Sequence, residues 1–387
     1  MLKKVVYAGA QSASFVQASK DLDALAETTV SRERVQRWAK RVGQQRVAAE
    51  AVVAERYQDL PLPERRTSPT GQVPQVACVE MDGGRIQIRE RGASPGNDSP
   101  SYWRESLVGC LSSMTSIEHA ADPCSRVPKT FVDPQRMSAL AREIKGFSSE
   151  SSEGEVVPEA PDDRAERPQL LVRSVVATRQ GLDSFGRQLV AAAHARGFHA
   201  ARRKAFLGDG APSNWSVHRQ HFSHYTPILD FTHAVCYVYQ AAMAGRPPTA
   251  GWKDYCRWAE WLWGGQTKTL IEAVAARATE LGAPAANEPD TSPRQIVATV
   301  LTYLRNQRSR MQYHEYRRLG LPITSSHVES TIKQVNRRVK GTEKFWDKGA
   351  EPLLQLVADH LSDTQPLAAF WRHRPRQLPR TRSRALA

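Results

Sequence analysis

The chain has 387 residues, enough for one large domain with an insertion or for two to three domains. Hydrophobic residues make up 40%, compatible with packed cores, while a mean hydropathy of −0.52 and the lack of a long apolar run argue against a transmembrane helix. A net charge of +14 and a pI of about 9.8 point to a polyanionic partner, nucleic acid foremost, with a merely solubilising basic surface as the alternative.

Basic residues in Met1–Val6 are not followed by a long apolar region, so no secretory signal is read. Cys78, Cys110, Cys124, Cys236 and Cys256 include no C-x-x-C pair, so a zinc site is not indicated. Their odd number and scatter suit reduced thiols in a cytoplasmic protein.

The first patterned segment, 30–43, reads as a short helix capped by Ser31, with Val35, Trp38, Ala39 and Val42 at helical spacing and Gly43 as a left-handed stop. Its outer face carries Arg32, Arg34, Arg37, Lys40 and Arg41, and a second helical stretch runs through Val47 to Tyr57. Two short helices meeting at Gly43 suggest a helix-turn-helix DNA reader within a helical region 1–60; a helical hairpin with a solvated basic face is the alternative. Residues 61–75 read as a linker.

Val76–Met81 reads as a strand, Asp82-Gly83-Gly84 as a turn and Arg85–Arg89 as a second strand, giving a β-hairpin; Leu107–Leu111 can be a third strand. Residues 148–165, rich in Ser, Glu, Pro and Asp, read as an acidic flexible connector. A helix is expected over roughly 168–196, ended by Gly197. Lys204–Gly208 and Pro227–Phe231 are short apolar strands, the first ending at Asp209-Gly210. From 234 to 310 the pattern is helical: Trp258, Trp261 and Leu262 share a face, and Ser292-Pro293 starts a helix with Ile296, Val300, Tyr303 and Leu304 on its apolar side. One helical stripe favours packing over base stacking for these tryptophans. The last strong helix starts at Ser326, buries Val328, Ile332, Val335 and Val339, and closes at Gly341. A basic tail, 363–387, with Arg372, Arg374, Arg376, Arg380, Arg382 and Arg384, reads as disordered and able to hold DNA phosphates.

Three acidic residues stand out as a set. Asp82 and Asp209 each follow an apolar strand and precede a glycine, where α/β sheets place ligands, although Asp-Gly is also an ordinary turn dipeptide. Glu329 in Ser326-His327-Val328-Glu329 fits a capping box. Phosphoryl transfer on DNA is served by two metal ions roughly 4 Å apart, and magnesium takes a few carboxylates together with substrate phosphate.

The ordered series Val79-Glu80-Met81-Asp82-Gly83, Tyr102-Trp103-Arg104-Glu105, Asp122-Pro123-Cys124, Leu207–Trp215, Ile228–Ala234, Arg310–Tyr313, Gly320–Ile323, His327–Ser330, Lys340-Gly341, Trp346 and Gly349-Ala350 resembles bacterial insertion-sequence DDE transposases of the ISKra type, over roughly residues 30–360. The resemblance implies an α/β fold: a ribonuclease-H-like mixed sheet with strands near 76–82, 85–90, 107–112, 204–209 and 226–231, its core split into 76–233 and 311–362 by the helical insertion 234–310. It implies that Asp82, Asp209 and Glu329 hold two Mg2+ ions, with Mn2+ a possible substitute, Asp82 bridging both. Asp230 and His233 are auxiliary candidates, the alternative for Asp230 being a structural bond to backbone. Arg85, Lys333, Arg337 and Lys340 join Arg34, Arg37, Lys40 and Arg41 as DNA contacts; Lys333, one turn beyond Glu329, could pair with it instead. The implied partners are terminal inverted repeats, target DNA and, by analogy with synapsis, further copies of the chain, with no membrane. One departure is plain: the family pattern has a glycine-rich Ile-Gly-Ser-Gly where this chain has Ile323-Thr324-Ser325-Ser326, which restricts the backbone and could shift Glu329. That change and a short N-terminus favour a rival reading, a catalytically decayed or repurposed DNA-binding derivative. A ribonuclease or Holliday-junction nuclease on the same fold is a second rival.

Overall fold

Val76 to Met81 are buried without interruption, the pattern of a strand covered on both faces. In the computed structural model, which describes residues 1–88, 103–144, 167–340, 344, 346 and 349–374, this run lies at the centre of the sheet. Helices α1 (Leu2–Gln11), α2 (Phe15–Ala26), α3 (Arg32–Asp59) and α4 (Leu62–Arg65) come first. Strands β1 (Val76–Gln87) and β2 (Trp103–Thr115), helix α5 (Pro134–Ile144), strand β3 (Gln169–Thr178) and helix α6 (Leu182–Ala195) follow. Then come β4 (Arg203–Gly208), α7 (Pro212–His221), β5 (Thr226–Leu229), α8 (Phe231–Met243), α9 (Pro248–Trp263), α10 (Thr267–Leu281), α11 (Pro293–Gln307), α12 (Tyr313–Arg318), α13 (Ser326–Val339), α14 (Ala350–Leu361) and α15 (Pro366–His373).

The fold is mixed α/β. Five strands, among the described residues, run in the order β3-β2-β1-β4-β5. β1–β2 and β2–β3 pair antiparallel, whereas β1–β4 and β4–β5 pair in parallel. One layer, built from α5 to α12, buries Phe185, Phe206, Phe231 and Trp258 in the larger core. On the other side Ile86, Val108, Cys110 and Val175 meet Val328, Val335 and Val339 of α13 and Leu353, Leu354 and Val357 of α14. Gly109 lets α6 approach β2: a Cβ there would stand 2.7 Å from Leu189 Cδ1. No helix among the described residues is long and apolar enough to cross a membrane.

Several local expectations are corrected. There is no turn at Asp82-Gly83-Gly84: β1 continues through it, with Asp82 opposite Val108, Gly83 opposite Leu107 and Gly84 opposite Ser106, because the 13-residue β2 supplies a pairing partner all the way to Gln87. The remainder of the expected second strand, 89–90, and the acidic segment 148–165 lie outside the described residues. The expected helix over 168–196 is instead β3 followed by α6; Leu170, Val172, Val175 and Val176 pair with β2, Leu171 being passed over at a register shift, and Gly197, in the left-handed region at φ +67°, ends the helix as expected.

The two helices expected around Gly43 are one 28-residue helix, so a helix-turn-helix centred there does not form. Gly43 serves packing: a Cβ would come within 2.2 Å of the Pro352 carbonyl oxygen on α14. Arg46, one turn on, holds the same contact through Asp359, its Nε 2.7 Å from the carboxylate, with both groups buried. The linker carries the short α4, and the expected disordered tail begins with α15, seated by Leu367 and Phe370 against Val6, Ala39, Val42 and Leu356; residues 375–387, including Arg376, Arg380, Arg382 and Arg384, lie outside the described residues, as does Gly341. The segment expected to be helical at 234–310 contains α8 to α11, and Ser292 caps α11 by accepting the Gln295 N–H at 3.2 Å.

Candidate metal centre

Strand register brings acidic residues together. The parallel β1–β4 ladder ends with Glu80 opposite Leu207, and the β4–β5 ladder ends with Gly208 opposite Leu229. Carrying each register onward sets Asp82 alongside Asp209, and Asp209 alongside Asp230. Three aspartates therefore line the carboxyl edge of the parallel strands, the position where open α/β sheets gather ligands.

Each is held differently. Asp82, still within β1, accepts the Gly83 N–H at 2.6 Å. Burial, then the charge of Asp209, pushes its carboxyl up to about 6. Asp209 Oδ1 accepts the Ala211 N–H at 2.9 Å and an Asn214 side-chain N–H at 2.7 Å, and the Asp209 carbonyl accepts the Tyr303 hydroxyl at 2.8 Å. Asp230 is fully buried and caps α8: one oxygen accepts the His233 N–H at 2.9 Å, the other the Ser325 N–H. Burial works against the Asp230 anion, but the bonds and charge from His233 and the Ser325 bond outweigh it and hold the group below the usual carboxylate range.

Glu329 reaches this edge from α13. The helix start is clamped on two sides by backbone donors that would otherwise be orphaned. Ser325 N–H goes to Asp230, and Val328 N–H goes to Glu80 Oε2 at 3.0 Å. Phe231 N–H to Ile323 O at 2.9 Å fixes the approach. Ser325, not Ser326, is the N-cap, and its hydroxyl donates to Glu329 Oε1 at 3.3 Å, so the capping box expected from Ser326 is replaced. Burial, then the charge of Asp230, pushes the Glu329 carboxyl up to about 7, opposed by His233, Ser325 and Lys333.

Thr324, Ser325 and Ser326 all have negative φ, with Ser325 at φ −91°, ψ 25°. The residues standing in place of glycine therefore adopt backbone conformations open to any side chain, and no strain displaces Glu329 from that source.

Ligand atoms of Asp230, His233 and Glu329 all lie within 4.8 Å of one another, a group that could hold a metal ion; among the described residues, Asp82 and Asp209 are not part of such a group. Burial lowers His233, but Asp230, then Asp209 and Glu329, raise it to about 9, so the imidazole is a cation at neutral pH, 3.4 Å from Asp230.

Sequence reasoning misses Glu80. It is fully buried, and burial pushes its carboxyl up to about 8 while the Val328 N–H pulls the other way. The signal is present in the sequence: a glutamate between Val79 and Met81 in an apolar run has nowhere to go but the interior.

The basic candidates are spread more widely. Lys333 and Arg337 are exposed on α13 and Lys340 at its C-terminal cap, where Lys340 Nζ stands 6.0 Å from the Trp103 ring. Arg85 is exposed, but strand alternation puts it on the face opposite Asp82. Arg34, Arg37 and Arg41 are exposed on α3 and Lys40 is half-buried there. Comparison with protein-family models and comparison with curated proteins each find no match for this chain.

Proposed function

We propose that this chain is a DDE transposase with a ribonuclease-H-like core, cutting DNA at the ends of an insertion sequence and joining the freed strand to target DNA. The observation that carries the reading is the register: continued two residues past its last pair, Glu80 and Leu207, it aligns Asp82 and Asp209, whose charge raises Asp82, and Glu329 arrives there from a helix that follows the helical segment α8 to α11. The strand order, with two antiparallel and two parallel neighbour pairs, supports a ribonuclease-H-like core.

The donor set fits a hard divalent cation. Carboxylate oxygens dominate, and Asp82 and Glu329 are raised by burial first and then by the charges of Asp209 and Asp230, an environment that a bound cation would relieve. Asp82, Asp209 and Glu329 would hold Mg2+ or Mn2+, which when bound activates water and stabilises the leaving 3′-oxygen. Asn214 orients Asp209, and Asp230 orients Glu329 through Ser325. Protonated His233 supplies a positive charge against Asp230, Asp209 and Glu329. Lys333, Arg337 and Lys340 offer phosphate contacts along α13.

A second reading keeps the enzyme class but gives Asp230 and, with its proton released on metal binding, His233 a ligand role beside Glu329, favoured by their mutual approach within 4.8 Å. The test is Mg2+-dependent cleavage of supercoiled donor DNA bearing the element ends. Asp82→Asn should abolish cleavage while duplex binding persists; cleavage at the wild-type rate would sink the assignment. Wild-type protein that binds but never cuts would favour the repurposed DNA-binding reading. Comparing Asp209→Asn with Asp230→Asn under the same conditions separates the two ligand sets.

A further inference from the structure

Away from the carboxylates, a second charged surface forms where α1, α3 and α15 meet. The three are packed together through Val6, Ala10, Ala39, Val42 and Leu367, with Phe370 and Trp371 against the same cluster. Two arginines on it lie over aromatic rings. The Arg41 guanidinium carbon is 5.4 Å from the Trp38 ring centroid. That of Arg374 is 5.1 Å from Trp371 and 5.9 Å from Phe370. Burial, and the charge of Arg41 close by, hold the Arg374 guanidinium below its ordinary value, so two like charges are kept near each other. Arg37 and Arg34 continue the exposed face of α3 about one and two turns before Arg41.

Trp371 also joins this patch to a cavity of about 1000 Å3 between α1, α2, α14 and α15, whose lining includes Lys3, Lys4 and Arg372. Asp21 lines the same cavity but is engaged by Ser12 at 2.6 Å and Gln17 at 2.7 Å, and Asp359 there is paired with Arg46. The surface thus combines exposed Lys3, Lys4, Arg34, Arg37, Arg41 and Arg372 with Arg374, drawn from segments more than 300 residues apart.

We propose that α1, α3 and α15 form a duplex-DNA phosphate-binding surface that shares no residue with the carboxylate cluster. It rests on the DNA reading above and adds a location to it. A guanidinium lying over a ring keeps its N–H groups in one plane, and those at its outer edge can take two phosphate oxygens at once; the ring also holds it in place before DNA arrives. Long-chain cations drawn from three helices fit a polyphosphate backbone better than an acidic peptide, because phosphate contacts position a duplex without reading its sequence.

The test is fluorescence anisotropy of a labelled 30-base-pair duplex over a salt series, with wild-type protein, Arg41→Ala/Arg374→Ala and Lys3→Ala/Lys4→Ala/Arg372→Ala. Removing one cation from a DNA phosphate should reduce the slope of log affinity against log salt by roughly 1, so the double variant should fall by about 2 and the triple by about 3. Arg41→Lys/Arg374→Lys, which keeps charge but not planar stacking, should weaken binding with a smaller change in slope. Lys253→Ala, an exposed cation on α9 outside this surface, should bind as wild type. Variants with wild-type affinity and slope overturn the proposal while leaving the DNA reading intact. Preference of the wild-type surface for single-stranded RNA or for phosphatidylserine vesicles also overturns it, and a wild-type protein that binds no duplex at any salt removes both readings together.

Discussion

The Asp230 carboxylate accepts the backbone N–H of Ser325, 95 residues further along the chain, while its other oxygen caps α8 through the His233 N–H. One fully buried side chain therefore ties the end of β5 to the start of α13, and so decides where Glu329 sits. Asp230→Ala would remove a helix cap and strand a buried N–H, together worth about 2 to 4 kcal/mol. Urea unfolding should show that loss. Asp230→Asn keeps an acceptor for one of the two donors and should recover part of it, while losing the charge that faces Glu329. Equal stability of the Ala variant and the wild type would mean that the clamp carries no weight.

Divalent ions should stabilise the folded chain, since burial and the charges of Asp209 and Asp230 already raise Asp82 and Glu329. At an ion concentration a hundred times the dissociation constant the gain is about 2.7 kcal/mol. Thermal melting with Mn2+ or Mg2+ should move upward and return when a chelator is added. Asp82→Asn and Glu329→Gln should each raise the apo melting temperature slightly, by relieving repulsion, and blunt the response to ions. A response to ions undiminished in both variants would place the metal elsewhere.

How much of the fold and site is legible in the sequence depends on how local each cause is. The strands before Asp209 and Asp230 can be read because Ala205–Leu207 and Ile228-Leu229 are short apolar runs that end in a polar residue. Asp82 reads as a turn residue because Asp-Gly-Gly is good turn chemistry; only the length of β2, opposite it, holds that stretch extended. β3 has exposed Leu171 at the sheet edge and no clean alternation, so its pattern passes for a helix. At Glu329 the cap signal is local and plausible, but the donors at the start of α13 are taken by Glu80 and Asp230, whose proximity is tertiary.

Acid should weaken the fold through His199. The ring is buried beside His224, His194 and Lys204, and its Nδ1 is 3.1 Å from the Tyr225 hydroxyl. Burial first, then those neighbouring charges, lowers it to about 4, against an ordinary value near 6.5. The unfolded chain therefore binds the proton first. Stability from this group is complete above about pH 6.5, declines as pH falls towards 4, and changes no further below that; the total is on the order of 3 kcal/mol. Urea unfolding of wild type and His199→Gln at pH 7.5, 5.5 and 4.5 isolates the effect, because other titrations cancel in the difference. Parallel pH profiles for the two proteins would rule His199 out as a source.

Gly43→Ala sets two effects against each other. In an exposed helix the change would stabilise by about 1 kcal/mol, since alanine is the better helix former. Here the new Cβ would stand 2.2 Å from the Pro352 carbonyl oxygen and 2.7 Å from Pro352 Cβ, and the first of these is backbone that no rotamer change can move. α3 and α14 would have to separate, loosening the buried Arg46–Asp359 pair beside the contact. Overpacking of this kind costs roughly 1 to 3 kcal/mol, so the clash exceeds the propensity gain and the net change is destabilising. Ala48→Gly, on the exposed side of the same helix, lacks the clash and should cost only about 1 kcal/mol. If Gly43→Ala instead raises the unfolding midpoint, α3 and α14 are not in the close contact that brings Gly43 against Pro352.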